Sequence, residues 1–216
     1  MLVIDTQKEF KFYAIKLSLI IVVVYLLQVF IKNFTELFVL SQNSWFEPWR
    51  FLTAIFLHAN VAHLILNLFA LVLFGSILER LIGEKRFLIV FFVSGILANL
   101  VSINFYDSSL GASGAIFGIM GALVFVRPLL VVWAFGLPMP MFVAGILWVV
   151  LDVLGTYGFL TGNPIDNTGN IAHLSGMFVG FLFGLFYRRL IKKPRKVNVS
   201  IDENEIRRWE KGWMGN

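Results

Sequence analysis

The chain has 216 residues, 58% hydrophobic and only 14% charged, with a mean hydropathy of +0.82. A soluble fold of this length cannot hide so much apolar surface, so soluble classes are excluded and an all-α, polytopic membrane protein is predicted. The net charge of +5 is set aside as a nucleic-acid signal because the basic residues follow a topological pattern, and the lack of cysteine removes disulfide and thiolate chemistry.

Runs of about 18 to 20 nearly uncharged residues recur, the length that crosses a hydrocarbon core of about 30 Å. No period-2 alternation points to a barrel. After a polar segment, residues 1–11, a first helix is predicted from Phe12 to Ile31, interrupted only by Lys16, Ser18 and Gln28. No small-residue cleavage pattern follows it, so it reads as a retained anchor. Residues 32–56 form a long connection rich in aromatics, including Trp45, Trp49 and Phe51, the composition of a segment lying at the membrane interface. The second helix is expected from Leu57 to Leu78, a charged turn from Glu79 to Arg86, and the third helix from Phe87 to Ile103.

A polar loop then leads to Gly111-Ala112-Ser113-Gly114 and a fourth helix, Ser113 to Val126, stopped by Arg127-Pro128. At about 1.5 Å per residue it spans only about 21 Å, so one end must stop inside the membrane. Residues 129–140, broken by Gly136, Pro138 and Pro140, read as a re-entrant or hairpin connection. The fifth helix is expected from Met141 to Leu154, a loop from Gly155 to Gly169, and the sixth from Ile171 to Ile191, before a charged tail, residues 192–216. The domain plan is thus one six-helix membrane domain, 1–191, and a cytoplasmic tail. With both termini cytoplasmic, every Lys and Arg except Lys32 and Arg50 falls inside, the asymmetry expected of an even number of spans.

This topology puts Ser113 about 10 Å below the outer boundary, level with all three histidines, His58, His63 and His173. Polar and ionisable groups at such depth mark functional or water-filled sites. His63 and Asn67, four apart, share a helix face. His58 and His63, five apart on the second helix, are offset by about 140°, which argues against a shared metal. No H-E-x-x-H occurs, so zinc protease chemistry is unsupported, and Tyr106-Asp107 lacks the G-x-G-D partner of an aspartyl protease. What remains is a serine that needs a base. His173 can supply it if the fourth and sixth helices touch through Gly114, Gly118, Gly176, Gly180 and Gly184. The N-terminus of the fourth helix, with the Asn67 amide and His63, can hold an oxyanion.

Four ordered motifs, Trp49-Arg50, H-A-N-V-A-H-L-I-L-N, G-A-S-G and A-H-L-S-G-M-F-V-G, together resemble the rhomboid family of intramembrane serine proteases over roughly residues 12–191. The resemblance implies a catalytic dyad, Ser113 as nucleophile and His173 as base. It also implies oxyanion support from His63 and Asn67 beside Gly111, and packing of Phe117 on the catalytic imidazole, where many relatives carry tyrosine. Trp49 and Arg50 would belong to a structural, membrane-associated first loop. It implies single-pass transmembrane proteins as substrates, in a cell membrane, with the site open to the outer face; no cofactor is implied. The family pattern requires no acidic third member, and Asp152 is the only candidate.

Blander readings stand beside these. Ser113 can be a packing residue, His63 and Asn67 an interhelical hydrogen-bonded pair, and His58 a structural tie to the first loop. Gly176 and Gly180 are packing residues first, and Trp49 and Arg50 interface anchors. Ile206, Trp209 and Trp213 share helical spacing in a solvated tail. The competing class is a non-catalytic transporter or client-binding membrane protein; a retained Ser113 and His173, with no inverted repeat, argue for the enzyme.

Overall fold

The computed structural model describes residues 11–165, 169–189 and 203–213. The expected N-terminal polar segment therefore lies almost wholly outside the described residues, as does much of the charged tail. In chain order the helices are α1 (Tyr13–Phe30), the short α2 (Phe34–Phe38) and α3 (Arg50–Thr53), α4 (Val61–Ile82), α5 (Glu84–Ser102), α6 (Ser113–Val126), α7 (Met141–Leu160), α8 (Asn170–Arg188) and α9 (Glu203–Trp213). Among the described residues five helices, α1, α4, α5, α7 and α8, are long and apolar enough to cross a membrane, whereas α6 has 14 residues. Their outward faces carry large exposed apolar residues such as Leu26 and Phe30 of α1, Phe69 of α4 and Leu154 of α7, which lipid, not water, can cover.

The short helix α6 is the centre of the bundle. It is apolar all round and buried on nearly every face, and its glycines set how closely its neighbours approach. A Cβ at Gly118 would collide with Ser94 of α5, one at Gly114 would stand 2.7 Å from the Ala98 methyl, and one at Gly121 would collide with the Met177 carbonyl of α8. From the other side, a Cβ on Gly176 would run into the Gly114 carbonyl, and one on Gly180 into the Gly118 carbonyl. Backbone thus touches backbone along the α6–α8 seam, as the small residues predict.

Polar groups inside the bundle are tied to backbone. The Glu79 carboxylate of α4 is buried and accepts from the N–H groups of Tyr13 and Ala14, both at 3.0 Å, satisfying the start of α1. Gln28 of α1 clamps the backbone of His58, accepting from its N–H at 2.9 Å and donating to its carbonyl at 3.3 Å.

The first loop departs from a simple interfacial segment. Arg50 is buried, donating to the carbonyls of Glu36 (2.6 Å) and Val39 (2.9 Å) and to the Glu47 carboxylate. It organises the loop from within, because three acceptors offset its desolvation, while Trp49 remains exposed. The strand β1 (Leu40–Ser41) pairs antiparallel with β2 (Ser108–Ser109), stapling this loop to the segment that leads to Ser113.

Two further expectations are corrected and one alternative is resolved. The second long helix starts at Val61, not Leu57, because Asn60 caps it by accepting from the His63 N–H at 2.9 Å; His58 therefore precedes the helix. Of the two alternatives for residues 129–140 the structure shows the hairpin, made of β3 (Val131–Ala134) and β4 (Leu137–Pro140). Its two-residue turn, Phe135-Gly136, has positive φ at both positions, 55° and 77°, the backbone a tight hairpin favours. The fifth predicted helix, α7, continues to Leu160 instead of ending at Leu154. Gly155 and Gly158 read as loop formers but lie inside it as close-approach surfaces for Asn170 and for Asn163 and Ile165.

Candidate active site

Ser113 is the first residue of α6, and the turn before it depends on Gly111. That glycine has φ +125°, a region that L side chains avoid, and a Cβ there would stand 2.7 Å from Cε1 of His63. Its N–H donates to the Ala54 carbonyl at 2.9 Å. Backbone conformation and the His63 ring therefore both exclude a side chain. The first intrahelical bond into α6 is Ile116 N–H to the Ala112 carbonyl, 2.9 Å, so the N–H groups of Ser113, Gly114 and Ala115 precede the helical ladder and are open to an acceptor.

His173 lies in the first turn of α8 and is 6% exposed. Its ring is fixed on two sides. Phe117, one turn after Ser113, stacks on it with centroids 4.1 Å apart and planes 8° from parallel, where the resemblance puts it. At its edge, Nδ1 is 3.1 Å from Oδ1 of Asp152 on α7. That leaves Nε2 as the ring nitrogen for other chemistry.

Ser113 and His173 line one cavity of about 700 Å³, together with His63, Gly111, Gly114 and polar groups from Asn60, Asn99 and Tyr106. Among the described residues no hydrogen bond joins the Ser113 hydroxyl to His173; resting sites often hold such pairs apart until substrate enters. Asn67 does not line this cavity. Its Nδ2 donates to the His63 carbonyl at 2.8 Å and its Oδ1 is buried without a partner among the described residues. Its observed bond is thus within α4.

His58 and His63 sit with ring centroids 5.0 Å apart, closer than a continuous helix would allow, because His58 precedes the helical turn. The His58 Nδ1 is 3.3 Å from the Phe56 carbonyl of the first loop, and burial, then the neighbouring His63, pushes its pKa down to about 4. No group of three or more His, Cys, Asp or Glu that could hold a metal occurs among the described residues.

Asn60, Asn99 and Tyr106 were not among the expected site residues, yet they line the cavity. Asn60 had a legible signal, an N-cap residue directly before an apolar run. Asn99 and Tyr106 had none: Asn99 Nδ2 donates to the Phe51 carbonyl at 2.8 Å, and the Tyr106 hydroxyl accepts from the Ile171 N–H at 3.3 Å. Both are long-range tertiary contacts.

The fold and site define a multi-pass helical membrane protein with a serine and a histidine lining one cavity. The Rhomboid domain model matches residues 45–190, and the chain belongs to the rhomboid family. It is 38% identical over 144 residues to "Rhomboid protease GluP" of Bacillus subtilis, covering 64% of this chain and 26% of that protein. It is 33% identical over 151 residues to "RHOMBOID-like protein 6, mitochondrial" of Arabidopsis thaliana, covering 69% and 46%. Against "Putative rhomboid protease YdcA" of Bacillus subtilis it is 43% identical over 83 residues, covering 37% and 42%. The matched region thus spans between about a quarter and a half of these relatives' lengths.

Proposed function

We propose that this chain is an intramembrane serine endopeptidase that cuts single-pass transmembrane proteins in or near their membrane segment, with Ser113 as nucleophile and His173 as general base. The observation that carries this reading is the shared cavity of Ser113 and His173 at the start of the glycine seam between α6 and α8. Family membership supports the same activity.

In the reaction, the Ser113 proton passes to Nε2 of His173 while Oγ bonds to the scissile carbonyl carbon. The resulting oxyanion is held by the unladdered N–H groups at the start of α6, with His63 at the cavity wall. The imidazolium returns its proton to the amine as the C–N bond breaks, and water hydrolyses the acyl-enzyme with His173 again as base. A substrate helix must unwind first, because its carbonyls are already hydrogen-bonded and shielded. The short α6 is the sixth span, both termini are cytoplasmic, and the cavity opens to the outer face so that water reaches it. The proposed domain plan is one membrane domain, 1–191, with tail 192–216.

The test is labelling of the detergent-solubilised protein by a fluorophosphonate probe. Wild type should label and cleave a transmembrane model substrate, and Ser113→Ala and His173→Ala should do neither. Labelling that survives Ser113→Ala overturns the nucleophile, and labelling at the wild-type rate in His173→Ala overturns the base.

A further inference from the structure

We propose that Asp152 is a positioning residue for His173, so that the protein works as a Ser113–His173–Asp152 triad; this rests on the proposed protease reading. The carboxylate lies on α7, 21 residues before the histidine, and its Oδ1 stands 3.1 Å from Nδ1. Both residues are 6% exposed, so water does not screen the contact. Asp152 occupies the buried stripe of α7 with Met141, Ala144, Gly145 and Gly155, at helical spacing. That stripe is otherwise small or apolar, and a carboxylate there is costly unless something opposite requires it.

The second carboxylate oxygen sharpens the point. Asp152 Oδ2 is buried with no partner among the described residues, and Thr156, one turn on along α7, likewise has a buried unpartnered hydroxyl. A purely structural tie gains most when both oxygens are bonded. Here a single bond is directed at one ring atom, the nitrogen that Ser113 does not need.

The chemistry follows from that direction. An ionised carboxylate only accepts, so Nδ1 must carry the proton, and the neutral imidazole then presents an unprotonated Nε2 toward the cavity. When Nε2 takes the Ser113 proton and Oγ–C forms, the positive charge on the ring develops against the carboxylate. Asp152 gains no proton at any step; the Nε2 proton leaves with the amine as the C–N bond breaks. Phe117 stacked on the ring face and Asp152 at its edge together remove the ring's rotational freedom.

Full-length protein in detergent tests this with Asp152→Asn, which keeps the side-chain shape. Its amide N–H can turn to Nδ1 and select the wrong tautomer. We expect kcat and the fluorophosphonate labelling rate to fall by about 10²- to 10⁴-fold with KM little changed. In the wild type labelled with ¹⁵N-histidine, His173 should show the Nδ1–H tautomer and a low-field proton signal that both Asp152→Asn and His173→Ala abolish. A wild-type rate in folded Asp152→Asn reduces Asp152 to a structural tie and overturns the proposal. If the variant does not fold, the wild-type spectrum decides alone, and an Nε2–H tautomer overturns it. Labelling surviving Ser113→Ala would instead sink the protease reading, so the two failures are separable.

Discussion

Gly180→Ala should disable the site from a distance. Gly180 lies two turns along α8 from His173, and a Cβ there meets the carbonyl oxygen, carbonyl carbon and Cα of Gly118. These are backbone atoms in the middle of a helix, so no rotamer change relieves the overlap. The helices must part by roughly an ångström, and overpacking of this kind costs about 1–3 kcal/mol of stability. The larger effect falls on catalysis, because Ser113 rides on α6 and His173 on α8. A misplacement of about 1 Å between reacting groups costs on the order of 10²-fold in rate. The assay is cleavage of a fluorogenic transmembrane substrate in liposomes, with thermal unfolding in detergent measured in parallel. Gly212→Ala serves as the control, since nothing lies within 4 Å of its added methyl. If Gly180→Ala cleaves at the wild-type rate with an unchanged Tm, the glycine seam does not set the distance between the two residues.

Gly111→Ala should combine a strained backbone, about 1–3 kcal/mol for a side chain at positive φ, with a push on the His63 ring; kcat should fall while binding of a substrate peptide changes little. Glu79→Ala should lower stability by about 1–3 kcal/mol, read as a lower Tm, because two N–H groups at the start of α1 lose their acceptor; cleavage well below Tm should be unchanged. His58 predicts a pH effect on stability. Its folded pKa is lowered from 6.5 to about 4, so between those values the unfolded chain binds the extra proton. The contribution, up to about 3 kcal/mol, is complete above pH 6.5 and lost as pH falls toward 4. Chemical denaturation across that window should show a flatter loss for His58→Gln than for wild type, and parallel curves would refute the assignment.

Some of this protein was legible in the sequence because the relevant signals are local. Hydropathy marked the long apolar helices, and Arg127-Pro128 stopped α6 at Val126, where the structure ends it. The spacing of Gly176, Gly180 and Gly184 anticipated a close seam, since a glycine stripe on an apolar helix has few other uses. Local signals also misled. Gly155 and Gly158 looked like loop residues because glycine's conformational freedom and its lack of a side chain produce the same letter, and here the second property is used. Gly136 with Pro138 and Pro140 left a re-entrant segment and a hairpin equally open, and only cross-strand pairing decided for the hairpin.

The sequence by itself determined the membrane class, the shortness of α6 and the serine and histidine that the motifs single out. Tertiary structure alone decided which side chains of other elements stand against them. Nothing in the sequence distance between Asp152 and His173 announces a contact, and Asn99 and Tyr106 acquire their places at the cavity only through α5 and the loop after it. Helical periodicity reports which face of a helix is buried; it carries no information on which residue of another helix lies opposite. In this bundle that is set by how closely the glycines let α6, α7 and α8 approach, and with it the company that His173 keeps.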